Sequence, residues 1–311
     1  ISESLSLTAG LRYTEEEKEV STKVDIVQDA ALVDGVMVND IRNLATPDSN
    51  PYNAALNAAT FDSYAHEFNE DRKTDQLMPA LSLEWEMSDT SMFYISYSEG
   101  FKSGGFNAVD SQMPDFDTAG NPLPTTPGLG FEYEDETAES IEIGGKHTLM
   151  DGSMTVNWAM FTSEYVDQQV STFVGLGFVV ANAASSDVSG LEVDMQWQYT
   201  DNLRLGANLA ILDAEYGDFT AAGCTAIQDS ALLGLAASEP DGELTSSSAV
   251  TSALGCSAQF NAAGAKSGQA QDLSGSDFGA SYSGSLTADY AQPLSNGLVM
   301  FASADYNFTD E

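Results

Sequence analysis

Residues with the types and spacing for covalent chemistry are scarce in this sequence. Its only histidines, His66 and His147, are far apart and stand in no recognised motif. No nucleophile–base constellation is visible, and nucleophilic catalysis needs one. His147 shares the apolar parity of its segment and reads as a strand-end residue. Asp115-Phe-Asp117-Thr-Ala-Gly120-Asn121 opens like a calcium loop. The third acidic position is Ala119, however, and no Glu follows at the twelfth, so the stretch reads as an Asx/Gly turn. The two cysteines, Cys224 and Cys256, lie in one Gly/Ala/Ser-rich insertion. Their spacing fits no zinc motif and no His is near. In a surface loop the natural chemistry for such a pair is a disulfide, which limits the entropy of the unfolded segment. The expectation is therefore a protein with no catalytic site, no metal and no cofactor.

The charge balance narrows the partners. The chain of 311 residues carries 48 acidic against 10 basic side chains, a net charge of -38. That disfavours nucleic acid, whose phosphates need cationic neutralisation. The surplus suits solubility in a salty setting, or a mouth that attracts cations. No run of eighteen apolar residues exists, which excludes a membrane helix. A membrane β-barrel stays open, because lumen-facing polar residues dilute hydropathy, here a mean of -0.17. The chain starts at Ile1 without a Met and shows no signal peptide, so it reads as mature or truncated.

The elements explain the scarcity of chemistry. Leu191, Val193, Met195, Trp197 and Tyr199 take one parity of Gly190–Thr200; Glu192, Asp194, Gln196 and Gln198 take the other. A strand puts successive side chains on opposite faces, so the segment has one apolar and one polar face. Similar segments span Ser4–Thr14, Gln76–Met87, Met92–Phe106, Thr137–Met150, Ser153–Val170, Leu203–Tyr216, Tyr282–Gln292 and Leu298–Phe308. That gives about nine strands. Asp151-Gly152, Asp201-Asn202 and Ser295-Asn296-Gly297 are tight turns at one end. Long outer loops are expected at roughly 21–75, 107–133 and 217–272, with a short helix possible across Asn53–Ala65 and a looser connection near Gly175–Ser186. Aromatic residues near strand ends on the apolar parity, among them Tyr13, Trp85, Phe93, Tyr97, Trp197, Tyr199, Tyr282 and Tyr290, suit interface girdles. The fold class is all-β: an antiparallel, up-and-down transmembrane β-barrel wall. On the polar parity, Arg12, Glu84, Glu86, Lys102, Glu142, Lys146, Glu192, Asp194, Arg204, Asp289 and Asp305 would face the lumen, more as ion-pair ladders or plug contacts than as ligand groups.

Several stretches carry a family resemblance. Tyr97-Ser-Glu-Gly-Phe-Lys-Ser-Gly-Gly-Phe-Asn107 resembles a signature of the TonB-dependent outer-membrane receptors. So do Glu139-Ser-Ile-Glu-Ile-Gly-Gly-Lys146, the run Phe161 to Gln169, and Asn182-Ala-Ala-Ser-Ser-Asp-Val-Ser-Gly-Leu-Glu192. Asp272-Leu-Ser-Gly275 and Tyr290-Ala-Gln-Pro-Leu294 look similar too. The resemblance covers nearly all of residues 1–311 and implies an internal part of a barrel of about 22 strands, with plug, TonB box and later strands outside the sequence. It implies an outer membrane of a Gram-negative bacterium, energy through the TonB complex, and import of a ferric siderophore or similar iron chelate. Cobalamin or an oligosaccharide is the alternative cargo, and a non-transporting surface barrel or adhesin the alternative class. Substrate contacts would cluster at the outer end, at Lys102, Phe106, Asn107, Tyr165, Gln169 and Asn182. Many ferric chelates are anionic, and a basic cluster of Arg72, Lys73 and Lys102 would locally offset repulsion by the acidic surface.

Overall fold

The computed structural model describes residues 4–24, 31–33, 36–38, 66–108, 127, 130–174, 177–239, 242–260 and 266–310. The stretch Asn53–Ala65, the Asp115–Asn121 turn and the side chain of His66 lie outside the described residues. Nine long strands form one sheet: β1 (Leu5–Val24), β2 (His66–Ser88), β3 (Ser91–Lys102), β4 (Glu136–Leu149), β5 (Met154–Val174), β6 (Gly177–Thr200), β7 (Leu203–Tyr216), β8 (Tyr282–Pro293) and β9 (Val299–Thr309). Their order in the sheet is their order in the chain, with β1 and β9 as the edges. All neighbours are antiparallel, so the sheet is an up-and-down arc of barrel wall.

Register turns the alternation of each strand into two continuous faces. Leu7, Leu83, Ile95, Ile143, Met160, Leu191, Ile211 and Tyr282 stand directly opposite one another from β1 to β8. Directly opposed residues share a face, so the row is one apolar band across the sheet. Its side chains are open to the surroundings; Met160 is 57% exposed. So broad an exposed apolar face marks contact with a membrane. On the other face a second row runs Glu86, Met92, Lys146, Asn157, Asp194, Asn208, Ser285 and Asn307. Val193 opposes Trp158 and Leu209 while Glu192 opposes Ala159 and Ala210, so the apolar and polar sets of β6 fall on separate faces. The polar face contains a close approach. Tyr94 lies across Gly144, where a Cβ would come within 2.4 Å of the ring.

The turns at one end are tight. Met150–Gly152 closes β4 to β5 as one 3-10 turn, with Met150 and Asp151 in the left-handed region at φ 52° and 55°. On the apolar face beside this turn, the Trp158 indole N–H donates to His147 Nε2 at 3.2 Å, and His147 Nδ1 lies 3.1 Å from Ser91 Oγ. Phe93 packs edge-on to the imidazole at 5.1 Å and Trp85 lies 6.1 Å from Phe93, forming an aromatic belt.

The other end departs from the expected loop boundaries. β1 continues to Val24 and β2 begins at His66, so the first loop is shorter at both ends than 21–75. β5 runs to Val174 and β6 starts at Gly177, where a loose connection at Gly175–Ser186 was expected. Phe173 pairs with Phe178 and Val174 with Gly177, so β-prone residues continue the ladder beyond the membrane pattern. Met92–Phe106 is not one strand: β3 ends at Lys102, and Gly105–Phe106 pairs separately with Glu132–Tyr133. The 217–272 insertion is folded too. It holds helix α1 (Ala226–Ala236) and a small sheet of Ser252–Ala253, Cys256–Phe260 and Lys266–Gln271. Thr225 and Gln228 form a reciprocal capping box that starts α1. Leu232, Leu244, Cys256 and Ala258 make its core, with Cys224 and Cys256 bonded at a Cα separation of 5.8 Å.

Candidate functional site

The site is built by unequal strand lengths. β3 and β4 stop at Lys102 and Glu136, while the hairpins β1–β2 and β5–β6 on either side rise further. The gap between them is filled by residues 103–107 and 130–135, joined by the Gly105–Phe106 and Glu132–Tyr133 pairing. Gly104 permits the close packing there: a Cβ would meet Tyr133 O at 2.2 Å and Arg72 Cζ at 2.9 Å.

Charged and amide side chains fix this bridge to both tall hairpins. From β2, Arg72 Nη1 donates to Glu132 at 2.7 Å, and Nη2 to Glu134 at 2.7 Å and Asp135 at 3.1 Å. Asp135 also accepts from Thr74 Oγ1 at 3.1 Å and from the Gly104 N–H at 2.6 Å. From β1, Lys18 Nζ donates to Ser103 Oγ at 2.7 Å and Gly104 O at 2.6 Å. On the β5–β6 side, Gln169 Nε2 reaches the carbonyls of Lys102, Ser103 and Glu134. The Asn182 amide accepts from the Glu134 N–H at 2.6 Å and donates to Glu134 O and Asp167 O. The Asn107 side chain pairs with the backbone of Val180, accepting from its N–H at 2.7 Å and donating to its carbonyl at 2.9 Å. Phe131 closes the apolar centre, stacked on Phe106 at 5.7 Å and edge-on to Phe68 at 5.0 Å.

Electrostatics hold these charges in place. Burial works against the Arg72 charge, but its hydrogen bonds to Glu134, Glu132 and Asp135 prevail and raise its pKa. Burial likewise works against the Asp135 charge, and the Gly104 N–H, Arg72 and Thr74 together still hold its pKa below the ordinary carboxylate value.

The six outer-end residues named from the sequence divide in two. Asn107, Gln169 and Asn182 have their amides on backbone partners, and Asn107 is 6% exposed. Phe106 is half-buried against Phe131. Lys102 extends with 61% of its side chain exposed, 3.6 Å from Glu136. Tyr165 lies opposite Ser186 and Ala138 on the polar parity. The basic cluster of Arg72, Lys73 and Lys102 does not form. Arg72 pairs in register with Lys18 on the inward face, whereas Lys73 faces outward and binds Glu17 at 3.1 Å. Arg72, Lys18 and Asp135 are the residues that sequence reasoning did not single out as the hub. Parity alone places Arg72 and Lys18 inward, but their partners lie 60 or more residues away.

Deeper in the wall, Tyr94, Lys146, Asn157, Glu192, Asp194 and Asn208 are among the residues that line a depression of about 340 Å³. Tyr94 Oη donates to Glu142 at 2.5 Å and Lys146 Nζ sits 6.0 Å over the Tyr94 ring. His147 lies on the opposite, apolar face with both ring nitrogens engaged.

Comparison with known proteins agrees with this architecture. The family model described as TonB dependent receptor-like, beta-barrel, matches residues 1–311. The fold is similar to that of the ferric yersiniabactin uptake receptor FyuA from Yersinia pestis, with a TM-score of 0.55 and 13% identity over 99% of this chain and 32% of that one. It is also similar to the siderophore receptor PiuA from Acinetobacter baumannii, with a TM-score of 0.50 and 17% identity over 98% of this chain and 31% of that one. The chain therefore spans about a third of the length of these solved receptors. An up-and-down wall with an apolar outer face, matched along its whole length by one family model, identifies the chain as a member of the TonB-dependent receptor family, within its β-barrel domain.

Proposed function

We propose that the chain forms part of the wall of an outer-membrane receptor of a Gram-negative bacterium. The receptor imports a ferric siderophore or similar iron chelate, driven through the TonB complex, and performs no catalysis. The family match over residues 1–311 carries this reading. Iron is favoured as cargo because the two similar solved proteins are named a ferric yersiniabactin uptake receptor and a siderophore receptor. In this reading the outer end meets the ligand. Lys102, Phe106 and Tyr165 are the contact candidates, and Asn107, Gln169 and Asn182 position the bridge that carries them. The test is uptake of radiolabelled iron chelates by the full-length receptor in strains with and without TonB. Uptake only in the strain with TonB is expected. Uptake that persists without it would reject the energised mechanism, and cobalamin or glycan uptake in place of iron would reject the cargo.

A further inference from the structure

We infer that, over the arc of mouth built by this chain, the receptor admits a neutral or cationic chelate and turns away an anionic one. The inference rests on the reading above that the outer end meets the ligand. Among the described residues, three cations stand on the inward face of that end, Lys18, Arg72 and Lys102. Six carboxylates share the region: Glu16, Glu70, Glu132, Glu134, Asp135 and Glu136. Each cation is already neutralised. Lys18 lies 3.3 Å from Glu16 and is tied to Ser103 and Gly104. Arg72 holds three carboxylates at once, and Lys102 faces Glu136.

Geometry prevents Lys18 and Arg72 from turning to a ligand cheaply, while Lys102 is held only by its 3.6 Å pairing with Glu136. Lys18 or Arg72 would have to abandon the bonds that hold residues 103–107 and 130–135 between the tall hairpins. The next inward cation of β1 is Arg12, about 20 Å further down the strand at 3.3 Å per residue. The outward face adds little relief: its cations Lys73 and Lys23 are paired with Glu17 and Glu67, and Glu15, Glu19, Asp71 and Asp75 crowd the same end of β1 and β2. A trianionic chelate would meet a net negative field and, among the described residues, find at the rim only Lys102, which Glu136 already faces at 3.6 Å. A chelate bearing an ammonium group would gain from the same field and from the carboxylates Arg72 shares.

Two measurements on the full-length receptor test this. Ser171 is exposed on β5, two residues from Gln169. In Ser171→Cys, the reaction rates of a cationic and an anionic methanethiosulfonate reagent are compared, each normalised to a free thiol. The cationic reagent should react at least about tenfold faster at low ionic strength, with the ratio falling towards one near 1 M salt, where screening acts within about 3 Å. Equal rates at low salt, or a faster anionic reagent, would overturn the inference. The second measurement is binding of one ferric trihydroxamate scaffold with its terminal amine free or capped by succinate. The amine form should bind about tenfold more tightly, and a preference for the succinylated form would overturn the inference. Failure of both chelates to bind, with the cationic reagent still favoured at the introduced thiol, would reject iron as cargo and leave the charge selection standing.

Discussion

At the scale of single residues, Arg72 decides the shape of the outer end. It is 11% exposed and spans three carboxylates with its planar fork. Breaking a fully buried pair costs about 3–5 kcal/mol. Glu132 and Glu134 remain partly open to solvent, so Arg72→Ala should loosen the bridge by about 2–3 kcal/mol. Faster proteolysis within 103–108 and 130–136 would report this, and Arg72→Lys should restore little because an ammonium lacks the fork. Asp135 gives a pH dependence of defined sign. Its native pKa is lowered, so the fold binds the ionised form. That contribution is complete above the unfolded value of about 4 and disappears as pH falls through the lower native value. The groups facing Asp135 are Glu16, Arg72, Thr74 and the Gly104 N–H. Protection of the Gly104 amide from hydrogen exchange should persist from pH 7 to 5 and fall only below about pH 4. Asp135→Asn should remove that acid step; a loss of protection near pH 6 in the native protein would contradict the assignment.

At the scale of elements, the strand parity is the testable quantity. Val193 on β6 faces the membrane between Trp158 and Leu209. Val193→Lys should destabilise the folded receptor in lipid by about 2–4 kcal/mol if the residue lies near the midplane, and less towards an interface. Glu192→Lys, one residue away on the polar face, should cost much less, and urea unfolding in lipid vesicles compares the two. A larger cost at Glu192 than at Val193 would place the register one residue off, because a slip of one exchanges the faces. The inward face offers a second check. A side chain at Gly144 would strike the Tyr94 ring, so Gly144→Leu should destabilise by about 1–3 kcal/mol through overpacking. Adding Tyr94→Ala should recover part of that loss if the clash is the cause.

At the scale of the molecule, the 217–272 insertion joins the wall through a buried cluster of Ala184, Phe219 and Ala222 and carries a second core of its own. The insertion has its own core around Leu232 and Cys256, tied by a Cys224–Cys256 bond that closes a separation of 32 residues. Closing a loop of that length is worth roughly 3–4 kcal/mol in the chain-entropy model. Reduction should therefore expose α1 to protease while the nine-strand sheet retains its β-sheet circular dichroism and heat resistance. Thiol labelling of unreduced, intact cells should leave both cysteines unmodified; labelling of both would argue that the bond is absent there.

The sequence by itself determined the wall. Alternation has a period of two and is written locally, so Leu191 and Glu192 reveal opposite faces without knowledge of any partner strand. Tight turns at one end and long connections at the other fixed the up-and-down order for the same reason. The Thr225–Gln228 capping box did not reveal α1, because the Gly, Ala and Ser around it read as a loop. What only the tertiary structure decided is the outer end. Where β5 and β6 stop depends on continued ladder pairing after the membrane pattern fades at Tyr165–Gln169. Whether Asn182 meets ligand or backbone depends on the Glu134 peptide, 48 residues away. Arg72 and Lys73 are adjacent in sequence, yet the pleat sends one into a cage of carboxylates and the other to the outer face. A charge is local, but its partner is set by which hairpins rise beside it, and that is a property of the assembled sheet.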